Sequence, residues 1–271
     1  MKVLILTTKY PAPGESPWLS SELSDELVAR GAEVRVLNID WSGRQGSGTY
    51  TSKNLVVTSV EPVKLSIPKV GLIAKWLFSA FKLLPYLFCE LVARRKYDLV
   101  ICFSPCTATA VAIPFAQFLS KKSLLLYWDF FPVHNSQINA PLPQKLMLPL
   151  KFLEKSLVHS FSVVGCMSEA GLRFFDAYFG AKNEQKRVII PIWTSNIGSL
   201  SANPFLSRLD FGFSDEDVLV VFGGQLVAGR GIEALLQAMK LIAEKRPEVK
   251  LLIFGSGPLS ELVAEYECSN G

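Results

Sequence analysis

The chain has 271 residues, of which 49% are hydrophobic, and its formal net charge at pH 7 is +4. A chain of this length and composition can bury a large core, and it indicates one large or two smaller globular domains. The small charge, without a basic run interleaved with aromatics, argues against a nucleic-acid partner. The five scattered cysteines and two histidines are not typical of a disulfide scaffold or a zinc site, so we expect reduced thiols and no bound metal.

The beginning of the chain predicts a strand. Residues 3–6 form an apolar run that is too short for the core of a secretion signal, and it ends in Thr7 and Thr8. We therefore expect a cytoplasmic protein.

A loop with three prolines and one glycine follows this strand, from Lys9 to Pro17. A helix opening at residues 20–22 and a second strand at residues 34–39 complete a βαβ unit. In such sheets ligands bind beyond the carboxyl ends of the strands, which places Lys9 and Gly14 where a ligand would lie. The alternative is a plain connection. The loop lacks G-x-G-x-x-G, which argues against a dinucleotide fingerprint.

Residues 42–54 are polar and glycine-rich and predict a surface excursion, followed by a short strand at residues 56–60.

The segment 70–96 is apolar, aromatic and basic. A membrane-spanning helix needs about 20 uncharged apolar residues, and charged residues together with Pro85 interrupt this one. The composition favours an interfacial helix on an anionic membrane surface. The alternative is a crossover helix buried against the sheet. The segment contains one acidic residue, Glu90. The basic residues in and beside it are Lys69, Lys75, Lys82, Arg94, Arg95 and Lys96.

Asp129 follows a predicted strand at residues 123–127. A charged residue at the carboxyl end of a strand is a candidate site residue, here as a partner of an acceptor hydroxyl or a stabiliser of the transition state. Alternatively, Asp129 only caps the turn that follows.

Two serines follow other predicted strands. Ser104 ends the strand of residues 97–102, and Ser168 follows the strand of residues 163–167. Ser168 is also a good N-cap for the next predicted helix, and capping accounts for it fully.

Residues 218–258 read as strand, glycine-rich loop, helix and strand. The predicted strands are Val218–Phe222 and Val249–Phe254, and the apolar positions of the helix between them recur at three and four residues. The loop glycines leave backbone N–H groups uncovered at the start of the helix, and Arg230 supplies a counter-charge for a phosphate. The alternative is a generic βαβ unit whose glycines only make tight corners.

This segment resembles the donor-binding half of group-1 (family 4) retaining glycosyltransferases. The family reads Gly-Arg-Leu, three residues and Lys-Gly in the first loop, and Gly-x-Gly-Pro after the second strand. The chain reads GQLVAGRG at residues 224–231 and GSGP at residues 255–258. Gln225 therefore stands where the family often has Arg, and Arg230 stands where the family usually has Lys. Residues 128–132, WDFFP, resemble the family's His-Asp-Leu-x-Pro, with Trp128 in place of His.

The resemblance implies a GT-B-like α/β fold with two Rossmann-like domains and the active site in the cleft between them. We expect an acceptor-side domain at residues 1–200, and at residues 201–271 part of a nucleotide-sugar-binding domain whose remainder would lie beyond the chain. The implied activity is transfer of a sugar, with retention, from a nucleotide-sugar substrate to a saccharide or lipid-linked acceptor, as in surface-polysaccharide synthesis, without cofactor or metal. The alternative is a truncated, non-catalytic remnant that binds nucleotide or membrane. An oxidoreductase or epimerase is disfavoured.

The resemblance also assigns roles to individual residues. Asp129 would be catalytic, and the acceptor side would hold Lys9, Gly14, Ser104 and Ser168. The donor would be bound by Gly224, Gln225, Gly229, Arg230, Gly231, Gly255 and Gly257. Together with the segment 70–96, these roles suggest a peripheral protein at the inner face of a membrane.

Overall fold

The computed structural model describes residues 1–41, 46–64, 71–133, 144–194 and 207–270. The chain divides into two compact units, Met1–His134 with Leu142–Asn196 and Asn135–Pro141 with Ile197–Gly271. The domain boundary that we expect at residue 200 falls within residues 195–206, outside the described part of the chain.

The first unit is built on an eight-stranded sheet. Its strands are β1 (Lys2–Thr7), β2 (Glu33–Ile39), β3 (Gly48–Ser52), β4 (Leu55–Val60), β5 (Leu99–Phe103), β6 (Ser123–Leu126), β7 (Val163–Cys166) and β8 (Lys186–Ile189). The strand order is β3-β4-β2-β1-β5-β6-β7-β8. All neighbours are parallel except β3 and β4, which are antiparallel. This is the doubly wound α/β pattern expected from the sequence.

Strand β1 lies at the centre of the sheet and is buried on both faces, as its unbroken apolar run predicts. Val3 and Ile5 join one core cluster, and Leu4 and Leu6 join the other. Helix α1 (Leu19–Ala29) packs on the first cluster through Leu23, Leu27 and Val28.

Five helices contribute to the second cluster. They are α2 (Gly71–Phe81), α3 (Leu84–Val92), α4 (Ala112–Phe118), α5 (Gln144–Val158) and α6 (Glu169–Phe179). Their buried side chains include Ala80, Leu87, Ile113, Val158, Phe175 and Phe179.

The segment predicted as one interrupted helix at residues 70–96 is two helices in its described part, residues 71–96. Pro85 stands in the first turn of α3, as a proline that divides a helix should. The two helices and the turn between them bury Ala80, Leu83 and Leu87 in the second core cluster but leave Phe88 61% exposed. In the described part of the chain, no helix combines the length and the apolar character that crossing a bilayer requires.

Two other segments differ from the sequence-based expectations. Residues 48–52, predicted as part of a surface excursion, form β3, whose hydroxylated residues are held by pairing with β4. The sequence of residues 108–119 predicts one helix, but α4 is shorter, because a 3₁₀ turn at Cys106–Thr109 precedes it.

The second unit contains a two-stranded parallel sheet of β9 (Val218–Gly223) and β10 (Val249–Phe254). Helices α7 (Ile232–Ala243) and α8 (Ser260–Asn270) follow the two strands. A small core of Leu226, Ile232 and Leu236 lies among these elements. The strand–loop–helix–strand order expected for residues 218–258 is confirmed.

Candidate functional site

The predicted acceptor-side residues lie at the carboxyl edge of the first sheet. Lys9, Ser104, Asp129 and Ser168 follow β1, β5, β6 and β7, which are neighbours in the sheet. Because the carboxyl ends of parallel strands meet at one edge, these four residues share that edge.

Ser104 and Asp129 are held together directly. The Ser104 hydroxyl accepts hydrogen bonds from the backbone N–H groups of Trp128, at 3.1 Å, and Asp129, at 3.0 Å. This contact fixes the backbone that carries the exposed Asp129 side chain. A hydroxyl that accepts two hydrogen bonds can still donate one, so Ser104 keeps a donor for a ligand.

Trp128 makes the adjoining surface aromatic. Its ring packs edge-on against Trp193, with centroids 5.1 Å apart, and against Phe103 at 5.7 Å. Its indole N–H is buried and has no hydrogen-bond partner among the described residues.

Lys9 and Gly14 lie in the loop after β1. The Lys9 ammonium lies 3.1 Å from the centroid of the Trp18 ring, and burial lowers the pKa of that lysine. Gly14 has a φ of +88°, a left-handed conformation that side chains rarely adopt. Both residues line a cavity of about 830 Å³, within the range of small-molecule sites.

Asp40 lines the same cavity and was missed by our sequence analysis. It follows β2 directly and is only 4% exposed. The argument that singled out Asp129, a charged residue at a strand end, applies equally to Asp40.

Glu154 was also missed, although it is an acid within a mainly apolar and basic helix. It is fully buried and accepts hydrogen bonds from the Cys106 amide (2.8 Å), the Thr107 amide (2.7 Å) and the Thr107 hydroxyl (2.6 Å). Burial raises the pKa of the Glu154 carboxyl, and these hydrogen bonds oppose that rise. Glu154 thereby anchors the chain two residues after Ser104.

Ser168 is an N-cap. Its hydroxyl accepts a hydrogen bond from the Gly171 amide at 3.1 Å at the start of α6. The capping role predicted for Ser168 is confirmed, and its acceptor-side role stays a prediction.

In the second unit, the loop between β9 and α7 exposes backbone amide groups together with one cationic side chain, that of Arg230. Gly229 and Gly231 have φ of +83° and +77°, so the chain turns on both sides of Arg230 in conformations that favour glycine. Within the described residues, the amides of Gln225, Gly229 and Gly231 donate no hydrogen bond. The exposed Arg230 side chain forms no ion pair there either.

The helix that follows adds its own donors. The first amides of α7 lack intrahelical acceptors, and the helix dipole places partial positive charge at this end. Uncovered amides, a dipole and a guanidinium together form a setting that suits an anion.

Gly255 and Gly257 have a packing role that the sequence did not indicate. A Cβ on Gly255 would lie 1.9 Å from the Gly224 carbonyl oxygen, and one on Gly257 would lie 2.4 Å from that of Leu226. The Gly224 and Leu226 amides in turn donate to the Phe254 and Ser256 carbonyls, at 2.9 and 3.0 Å. The two loops are therefore joined backbone to backbone. Direct donor contact by either glycine stays a prediction.

Among the described residues, no group of three or more His, Cys, Asp or Glu side chains is placed to hold a metal ion.

Comparison with solved structures defines the fold. A sucrose-phosphate synthase from Thermosynechococcus elongatus superimposes with a TM-score of 0.69 at 18% identity, over 98% of this chain and 68% of that chain. A structure from E. coli described as trehalose-6-phosphate bound with UDP-2-fluoro glucose gives 0.64 at 11% identity, over 100% of this chain and 69% of that one. The chain has a GT-B-like fold.

A third similar structure is the catalytic domain of starch synthase IV from Arabidopsis thaliana bound to ADP and acarbose. Its TM-score is 0.61 at 13% identity, over 98% of this chain and 71% of that chain. No family model matches the sequence, and no curated protein matches it. At these identities the similarity establishes the fold, so the GT-B-like α/β fold implied by the sequence resemblance is confirmed.

Proposed function

We propose that this chain is a retaining glycosyltransferase that moves a hexose from a nucleotide-sugar donor to a saccharide acceptor. The observation that carries the proposal is the exposed loop before α7, in which Arg230 stands between two left-handed glycines. The amides of Gln225, Gly229 and Gly231 beside it donate no hydrogen bond within the described part of the chain. The GT-B-like fold and the family resemblance of this loop support it.

The donor's diphosphate is assigned to this loop. The leaving diphosphate carries negative charge, which amide dipoles, the helix N-terminus and the Arg230 guanidinium would stabilise without a metal or cofactor. Gly224, Gln225, Gly229 and Gly231 supply the backbone of this loop. Gly255 and Gly257 keep the neighbouring loop against it.

The acceptor is assigned to the carboxyl edge of the first sheet. Asp129 would accept the proton of the attacking hydroxyl or stabilise positive charge on the sugar in the transition state. Ser104 holds the Asp129 backbone, as its hydrogen bond indicates. Lys9, Gly14 and Ser168 complete the proposed acceptor side.

We assign the acceptor to the lipid-linked class of surface-polysaccharide synthesis, met at the inner face of a membrane. Helices α2 to α5 support an anionic membrane contact, because the two carboxylates on them, Glu90 and Glu154, are buried. Lys145 is exposed on α5, and Lys82 is exposed between α2 and α3. The helices also expose large apolar side chains, which include Phe78, Phe81, Phe88, Phe118, Leu148 and Phe152. An apolar and basic surface suits anionic headgroups.

The proposal is tested by nucleotide binding and product release. UDP and GDP are titrated into the chain by calorimetry, and release of each is followed with UDP-hexoses and GDP-hexoses. Arg230→Ala should weaken binding of the matching nucleotide about tenfold or more, because a charge-assisted contact is lost. Lys245→Ala, which removes an exposed cation elsewhere in the same unit, should leave binding unchanged.

The outcomes separate the candidate functions. Turnover that Arg230→Ala lowers supports the transferase. Nucleotide binding without turnover favours a non-catalytic chain that binds nucleotide or membrane. Binding that is equal in the wild type and in Arg230→Ala removes the physical basis of the proposal.

A further inference from the structure

A cluster of positively charged residues lies at the amino edge of the first sheet, opposite the carboxyl edge that holds the candidate acceptor site. A cavity of about 360 Å³ is lined there by five cations and one carboxylate, that of Glu33. The cations are Lys2, Arg35, Lys53, Arg95 and Lys96. Its residues precede or open β1, β2, β4 and β5, so the cavity is at the amino edge, whereas the candidate acceptor site is at the carboxyl edge.

Two guanidiniums of this cavity are fixed by one buried acid. Glu90 is 2% exposed and pairs with Arg35 at 3.0 Å and Arg95 at 3.1 Å. The Tyr97 hydroxyl also donates to Glu90, at 2.7 Å. This carboxylate therefore orients both arginines.

The arginines retain unused donors. A guanidinium has five N–H groups, and both arginines reach Glu90 through Nη1. The Arg35 Nε is buried and has no hydrogen-bond partner among the described residues.

The carboxylates of this edge do not offset the cations. Glu33 is exposed and pairs with Lys2 at 3.2 Å, and Asp98 pairs with Lys121 at 2.8 Å. Within the described residues, Lys53 has no ion pair, so positive charge remains in excess around the cavity.

We propose that this cavity binds a phosphate-bearing anion of a size between inorganic phosphate and a small phosphate ester. Arg35 and Arg95, oriented by Glu90, form the planar donors that bind phosphate oxygens in pairs. Lys53 and Lys96 also line the cavity and add positive charge. The Lys96 ammonium donates to the Phe118 carbonyl at 3.3 Å, and its remaining N–H donors are available to a ligand. This site is separate from the proposed donor and acceptor sites and does not depend on the transferase activity.

The test is calorimetric titration of the chain with inorganic phosphate and with glycerol 3-phosphate, at an ionic strength held constant with sodium chloride. The Arg230→Ala chain is used, so that the loop before α7 contributes less to the measured heat. We expect saturable one-to-one binding. The double variant Lys53→Gln/Arg95→Gln should bind about tenfold or more weakly, and it leaves Glu90 paired with Arg35 and Tyr97.

A matched control is Lys245→Gln/Lys250→Gln, which makes the same change in net charge at two exposed lysines of the second unit. Its affinity should equal that of the parent. Lys53→Gln/Arg95→Gln is called the pocket variant. If its thermal melt shows that it does not fold, Lys53→Gln/Lys96→Gln replaces it, since both lysines are exposed.

A flotation experiment with lipid vesicles identifies whether the phosphate belongs to a lipid headgroup or to a soluble ester. Vesicles of phosphatidylcholine alone and with phosphatidic acid are compared by flotation. A lipid headgroup is the source if the chain floats with vesicles that contain phosphatidic acid, if glycerol 3-phosphate displaces it, and if Lys53→Gln/Arg95→Gln does not float. A free phosphate ester is the source if the chain binds glycerol 3-phosphate in solution but does not float with these vesicles. Either result supports the site. No saturable binding of phosphate, ester or vesicle, or equal affinity in the pocket variant, overturns it.

Discussion

The Ser104 hydroxyl and the Asp129 amide, 25 positions apart in sequence, are joined by a hydrogen bond of 3.0 Å. The same hydroxyl accepts from the Trp128 amide, so one small side chain determines how β5 and β6 deliver the proposed catalytic carboxylate to the edge of the sheet. The position of Asp129 therefore depends on a residue with no charge of its own.

Replacement of Ser104 by Ala should impair both stability and turnover. Two amides lose their acceptor, which should cost about 1–2 kcal/mol of unfolding free energy. On the proposed function, turnover should fall more than substrate affinity, because the carboxylate is displaced while the donor loop is intact. Urea unfolding and steady-state kinetics measure the two effects. Ser214→Ala, which removes an exposed hydroxyl bonded to Asp217, is the control; equal behaviour of the two variants would contradict the role.

Glu154 should make stability depend on pH. Its folded pKa is raised above the ordinary 4.5 by burial, so the folded state holds this proton longer than the unfolded state. The stabilisation is complete below pH 4.5 and is lost as pH rises through the raised pKa. Unfolding free energies of the wild type and Glu154→Gln should therefore differ in slope above pH 4.5.

The Glu154→Gln variant should also be about 1–3 kcal/mol less stable, because its NH2 group replaces one acceptor oxygen and would face the amide N–H of either Cys106 or Thr107. Glu169→Gln removes an exposed carboxylate from the neighbouring helix α6 and should keep the wild-type slope. Parallel pH profiles for wild type and Glu154→Gln would show that this carboxyl does not titrate as its burial indicates.

Gly255→Ala should separate the two loops of the second unit. The new Cβ cannot remain 1.9 Å from the Gly224 carbonyl oxygen, so the backbone must move. We expect a loss of about 1–3 kcal/mol of stability, as for other overpacked sites, and weaker nucleotide binding. Gly223→Ala is the matched control, since a Cβ there meets nothing within 4 Å. Thermal melts and nucleotide titration of both variants make the comparison, and equal effects would refute the packing role.

Membrane contact should depend on the exposed aromatics of α2 and α3. Phe81→Ser/Phe88→Ser should reduce flotation with anionic vesicles, because it removes apolar area from side chains that are 51% and 61% exposed. Leu209→Ser/Leu241→Ser, at exposed positions of the second unit, should float like the wild type. A wild-type chain that floats with neither anionic nor neutral vesicles would disprove membrane contact.

Periodicity was sufficient to predict elements with a strong local signal. Residues 249–254 form a strand with the predicted bounds, and Pro85 divides the basic segment as expected. Strand β3 carried no such signal, because its exposed Gly-Thr-Tyr-Thr-Ser sequence lacks apolar alternation and depends on pairing with β4.

The candidate sites were predictable only in part, for a similar reason. Asp129 follows a clear strand and Arg230 lies just before a clear helix, where residue type and position already indicate a site. The support of Asp129 by Ser104, the anchoring of the nearby chain by Glu154 and the close approach of Gly255 to Gly224 arise between segments distant in sequence. No local pattern encodes such contacts.

The two-stranded sheet of the second unit has a consequence for handling the protein. Within the described residues, β9 and β10 pair only with each other, so each presents an open edge, and Val221 and Phe254 are 58% and 48% exposed. Open edges with apolar side chains are where strands of separate molecules add to one another. The sheet of the first unit ends instead in short strands, one hydroxylated and one beginning with Lys186 and Arg187. Aggregation in concentrated solution should therefore begin at the second unit and be suppressed by a lysine placed at Val221.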